Sequence, residues 1–263
     1  MPTLTINDTP HAYQEAGQGS PVLLIHAGIA DLRMWDEVWP AFTGRHRSIR
    51  YDMRGYGDTP LPDGPFTYAA DAAGLQQALG VERAHVVGVS MGAGVALDLA
   101  LARPELVDRL VLVAPGLPDW DWAPEMDVFD EQEAELFDRG ELDEASWLNV
   151  RFWLDGPTRQ PEEVDADLRR RVFEMQRRAF EWENPKADGS WLVPDRGERL
   201  AEVRSSTLVV AGELDQPDFA GVGQHMAERI PNARLEVMPG VAHLPPMEAP
   251  DEFSRLVLDF LRE

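Results

Sequence analysis

A chain of 263 residues, 44% of them hydrophobic, is long enough to bury a sizeable core without covalent staples. It contains no cysteine, which excludes disulfides, thiolate catalysis and Cys-based metal sites. A formal charge of −23, with Lys186 as the single lysine, argues against nucleic acid, anionic membranes and anionic small molecules as partners.

Met1 to Ile6 lacks the basic and apolar regions of a secretion signal, and no apolar stretch approaches the ~18 residues of a membrane span. A cytoplasmic location is expected. Leu4-Thr5-Ile6 and Ala12-Tyr13-Gln14, joined by Asn7-Asp8-Thr9-Pro10, predict an opening hairpin. Val22 to Ile25, His85 to Val89, Leu110 to Val113 and Leu208 to Ala211 are continuous apolar runs, the pattern of strands covered by helices on both faces. Ser48 to Asp52 is a weaker strand, and Arg234 to Met238 alternates as an edge strand does. Residues 91–103 predict a helix ending before Pro104. The last helix buries Phe253, Leu256, Val257, Phe260 and Leu261 as one stripe. Alternating strands and helices imply an α/β fold with a mostly parallel, doubly wound sheet.

Residues 116–200 break this alternation. They show no strand-like run, yet carry six of the eight tryptophans. Between 119 and 148 there are twelve acids and one base, Arg139. The segment reads as a helical cap with a solvated acidic face, inserted in a core made of residues 1–115 and 201–263.

Gly88-Val89-Ser90-Met91-Gly92 matches G-x-S-x-G where a buried strand meets a helix, the place where a sharp turn exposes a nucleophilic serine. Serine needs a base, because its free hydroxyl is a poor nucleophile. Among six histidines, His243 stands in the loop after the edge strand, on the carboxyl edge where Ser90 emerges. Asp215, just past the strand Leu208 to Ala211, is the expected orienting carboxylate, with Glu213 and Asp218 as competitors. Backbone amides of Met91 and Gly28 are the expected oxyanion donors, with Ile29 as second choice to Gly28. His26 is expected to brace that loop by hydrogen bonds. Trp153, Trp182 and Ile29 are the expected substrate-binding residues. Arg151 is the one cap arginine placed to point inward, and the Trp-rich cap favours a neutral, apolar substrate over a carboxylate-bearing one.

These motifs resemble the α/β-hydrolase superfamily nearly end to end. His26-Ala27-Gly28 is similar to its oxyanion segment, with Ala27 in place of a glycine. Asp31-Leu32-Arg33-Met34-Trp35-Asp36 resembles 3-oxoadipate enol-lactonases and related carboxylesterases. Asp52-Met53-Arg54-Gly55-Tyr56-Gly57 resembles a structural turn that shapes the pocket floor, and Ala242-His243-Leu244-Pro245 completes the match. The resemblance implies a Ser90–His243–Asp215 triad cleaving esters or lactones of small molecules through an acyl-enzyme. The serine at position 90 excludes the carboxylate-nucleophile relatives. Met91 is shared with C–C bond hydrolases and cofactor-free haloperoxidases, so a C–C hydrolase or perhydrolase remains open, as does a low-turnover ligand receptor. No metal-ligand cluster or Gly-rich phosphate loop is present in the sequence, and no cofactor is implied.

Overall fold

The computed structural model describes residues 1–262. Its strands are β1 (Thr3–Ile6), β2 (Thr9–Ala16), β3 (Pro21–Ile25), β4 (Arg47–Tyr51), β5 (Gly64–Thr67), β6 (Ala84–Val89), β7 (Val107–Val113), β8 (Ala187–Ser190), β9 (Ser206–Gly212) and β10 (Ala233–Met238). All but β5 and β8 join one sheet in the order β1-β2-β4-β3-β6-β7-β9-β10. The β1–β2 and β2–β4 pairs are antiparallel; the rest of that sheet is parallel. Asn7 and Asp8 turn the opening hairpin with φ of 45° and 63°, a conformation their short polar side chains tolerate.

The helices are α1 (Trp39–Thr43), α2 (Tyr68–Ala78), α3 (Met91–Ala102), α4 (Pro124–Asp138), α5 (Leu142–Asn149), α6 (Ala166–Phe180), α7 (Pro217–Arg229), α8 (Pro245–Glu248) and α9 (Pro250–Arg262). The unbroken apolar runs of the central strands follow from two cores. Because strand side chains alternate, Leu23, Val86, Leu112 and Val209 pack on one face with α2, α3 and α7. Val22, Val87, Val111 and Val210 pack on the other with α1 and α9. The stripe expected on α9 is buried at Phe253, Val257, Phe260 and Leu261, and β10 lies at the sheet edge as its alternation predicts.

Two short strands depart from the sequence reading. β8 falls inside the segment expected to lack strands and pairs in parallel with β5. Its residues, Ala-Asp-Gly-Ser, include no strand-forming side chain, so only the backbone pairing with residues 123 positions earlier defines it. A second departure is a π-helix at Val150–Asp155, directly after α5.

Candidate active site

Ser90 stands between β6 and α3, as the N-cap of α3, with φ 53° and ψ −115°, a strained conformation for a residue with a Cβ. Close packing holds it there. The Ser90 amide donates to Val113 O at 2.8 Å, and its carbonyl accepts from Ala93 and Gly94. A Cβ on Gly88 would fall 2.1 Å from Gly92 O, and one on Gly92 would fall 2.4 Å from His26 O. Only glycines permit the strand and helix to meet so tightly.

Loops after β9 and β10 bring Asp215 and His243 together. His243 Nδ1 lies 2.8 Å from Asp215 Oδ2, both side chains being buried. The other carboxylate oxygen accepts the Gln216 amide at 2.8 Å. This leaves His243 Nε2 buried with no hydrogen-bond partner, in a residue that lines the same cavity as Ser90. The imidazole is held between Trp153 and Phe219, with ring centroids 4.5 and 4.6 Å away. Glu213 instead accepts from the Gly240 amide, and Asp218 accepts from Trp120 Nε1 and the Ala123 amide. Neither reaches His243.

The π-helix fixes this cluster from above. Its trailing carbonyls are free to bond elsewhere: Trp153 O accepts from the His243 amide at 3.3 Å, and Phe152 O accepts from Gln216 Nε2 at 3.0 Å.

The loop after β3 runs beside the elbow. A Cβ on Gly28 would meet Met91 Cβ and Sδ at 3.5 Å. Among the described residues, nothing accepts a hydrogen bond from the Gly28 or Met91 amides. His26 donates from Nδ1 to Ala27 O at 2.8 Å and accepts the Met53 amide at Nε2 at 3.0 Å, tying this loop to the Asp52–Gly57 turn. Complete burial lowers its pKa to about 4, so the ring is neutral, as accepting at Nε2 requires. In that turn, Asp52 accepts from the Leu32 and Asp58 amides, and burial raises its pKa to about 7.

The cavity holding Ser90 and His243 measures about 350 Å³. Gly28, Ile29 and Trp153 line it. Trp182 does not. Its indole donates to Gly57 O at 2.9 Å and lies under Arg178, while Phe180 at the end of α6 and Glu183 just after it line the cavity instead. Arg151 is exposed rather than pointing inward. The expected apolar lining is corrected as well: Arg54, Tyr56, Tyr68, Glu133, Asn149, Gln176 and Glu183 share the wall with Phe129 and Phe180. Arg54 is bound bidentate by buried Asp71, at 2.6 and 2.9 Å, which offsets its charge. Apart from Arg54 and Tyr56, which belong to the Asp52–Gly57 turn, no sequence signal marked these polar residues. A second, apolar cavity of about 280 Å³ also borders Ser90, between Met91, Leu117, Trp122, Trp153 and Phe219, with Arg196 at its wall. Among the described residues, no cluster of His, Asp or Glu suited to a metal ion occurs, and no helix is long and apolar enough to cross a membrane.

Comparisons with known proteins agree on one family. The family model described as "alpha/beta hydrolase fold" matches residues 20–250. A 2-hydroxy-6-oxo-6-phenylhexa-2,4-dienoate hydrolase of Comamonas testosteroni is 30% identical over 95% of this chain and 91% of its own length. Among solved structures, a hydrolase from Pseudomonas aeruginosa superposes with a TM-score of 0.81 at 29% identity, covering 98% of this chain and 97% of that one. An enol-lactonase from Burkholderia xenovorans gives a TM-score of 0.82 over the full length of both chains; at 23% identity it shares the fold alone.

Proposed function

The chain belongs to the α/β-hydrolase family, and on that premise we propose that it is a serine hydrolase cleaving carboxylic esters or lactones of small molecules. The observation that carries this reading is the buried Asp215–His243 pair, whose unclaimed Nε2 belongs to a residue lining the cavity of the strained Ser90. In this mechanism, Ser90 Oγ attacks the carbonyl carbon while His243 Nε2 takes its proton. Asp215 holds the tautomer with the proton on Nδ1 and stabilises the imidazolium. The amides of Gly28 and Met91 receive the oxyanion. The tetrahedral intermediate then collapses, re-forming the carbonyl and breaking the bond from its carbon to the alcohol oxygen, and the alcohol leaves with the proton from His243. Water, deprotonated by the same nitrogen, attacks the acyl-enzyme and releases the acid and Ser90. The two cavities bordering Ser90 suit the two halves of an ester.

A second reading, C–C bond hydrolysis on the same residues, is favoured by the Comamonas relative. That relative is named for a dienoate, an anion. Here Glu133 and Glu183 line the cavity, and its one arginine, Arg54, is neutralised by Asp71. These charges favour a neutral or cationic ester. The test is a panel of esters, lactones, amides and vinylogous diketones, alongside a fluorophosphonate probe. Steady ester or lactone turnover with labelling at Ser90 is expected. Turnover of the diketone alone would select the second reading, and ligand binding without turnover would make the chain a receptor.

A further inference from the structure

Resting on the hydrolase reading, we propose that the polar end of the Ser90 cavity recognises a cationic nitrogen, so that the preferred substrate is an ester bearing a protonated amine. The groups concerned come from the segment between β7 and β8: Glu133 on α4, Asn149 on α5, and Gln176 and Glu183 on and just after α6.

Their hydrogen-bonding inventory leans to acceptors, Gln176 Nε2 being the one donor among them without a hydrogen bond. Asn149 directs its amide Nδ2 to Glu133 and to Ala145 O, so only its carbonyl oxygen remains to offer, as an acceptor. Gln176 is 5% exposed, and its Oε1 is buried with no partner at all. An orphaned acceptor in a wall that also carries two carboxylates is a group waiting for a donor, since a buried polar atom left unpaired is costly. Glu133 and Glu183 supply negative charge. Burial raises the Glu133 pKa, and the nearby Asp130 and Glu183 raise it further, a penalty that a bound cation would relieve. No lysine lines this cavity, and Arg54, on the Asp52–Gly57 turn, is held by Asp71 of α2.

The remaining wall suits the same ligand. Phe129 and Phe180 line the same cavity, and aromatic faces attract ammonium groups. At longer range, a chain of net charge −23 concentrates cations and depletes anions near its surface. A neutral polyol would satisfy the acceptors without using the charge. A carboxylate would meet Glu133 and Glu183 directly.

The experiment compares kcat/KM for esters of matched acyl length ending in ammonium, methyl or carboxylate. We expect the ammonium ester to exceed the methyl ester about tenfold, the usual scale of one good charged contact, and the carboxylate ester to be the poorest. The advantage should shrink as salt rises. In Glu133→Gln and Gln176→Leu, the ammonium-to-methyl ratio should fall toward one. A ratio at or below one in the wild-type protein, or a ratio indifferent to both substitutions, overturns the proposal. A carboxylate preference abolished by Arg196→Gln does so too, placing an anion in the second cavity. Should no ester turn over and Ser90 resist the fluorophosphonate, the hydrolase reading itself fails. Calorimetric titration of Ser90→Ala with hexylammonium and hexanoate then decides the binding claim separately: tighter hexylammonium supports it, and equal or reversed affinities refute it.

Discussion

Arg159 reaches Glu248 at 2.7 Å, and the same carboxylate accepts the amides of Ala242 and Leu244, the two neighbours of His243. A residue that touches no substrate therefore fixes the backbone on either side of the proposed base. Glu248→Ala would leave two buried amides and the guanidinium without their acceptor. Removing one partner of a buried pair costs about 3–5 kcal/mol, so urea denaturation should show a loss of that order. Glu248→Gln, which keeps one acceptor oxygen, should lose less and retain more kcat.

Ser90→Ala should reduce kcat by ~10⁴ to 10⁶ with the fold preserved. Mass spectrometry of the fluorophosphonate adduct checks the assignment. Labelling at another residue, or an active alanine variant, would reject it.

The carboxylate assignment has a sharper comparison. Asp215→Asn should lower kcat by ~10⁴, because an amide in contact with Nδ1 favours the wrong tautomer. Glu213→Gln should be mild, since Glu213 bonds only the exposed Gly240 amide. Steady-state kinetics of the two variants would rank them, and the reverse ranking would move the acid to Glu213.

His26 ties stability to pH. Its pKa is about 4 in the folded chain and near 6.5 when unfolded. Between those values the unfolded chain binds a proton that the folded chain does not. Stability is therefore complete above about pH 6.5 and falls as pH drops toward about 4, by roughly 3 kcal/mol from this group. Thermal melts of His26→Gln across that window should show a shallower pH dependence than the wild-type protein. Identical slopes would show that His26 is not held neutral.

Gly92→Ala probes the elbow. Its new methyl would meet His26 O and Ile25 O at 2.4 and 2.5 Å, both backbone atoms that cannot swing aside. A loss of about 3 kcal/mol or more is expected by urea denaturation, well above the ~1 kcal/mol typical of point substitutions.

The sheet and the grouping of Ser90, Asp215 and His243 were legible because each depends on local pattern. Apolar runs mark the parallel strands, and residues just beyond their carboxyl ends must converge on one edge. The polar half of the cavity was hidden for the opposite reason. Glu133, Asn149 and Gln176 lie on helices whose stripes show only what faces the core, not which residue beside the stripe meets a cavity. Trp182 was misplaced on the same account: its neighbours Phe180 and Glu183 occupy the wall, while its indole bonds Gly57 O. β8 could not be found at all, because Ala187 to Ser190 gain strand geometry only from a distant partner.

The π-turn at Val150–Asp155 makes this architecture more sensitive to chain length than to side-chain identity. A π-turn holds one residue more than the α-turn it replaces. Deleting a single residue there would restore ordinary helical winding and change which carbonyls end the helix. Phe152 O and Trp153 O would no longer both end the helix where Gln216 and His243 meet them, with no amino acid exchanged at the catalytic positions. Substitutions sample this site one contact at a time, whereas a three-nucleotide deletion in its reading frame would dismantle it in one step.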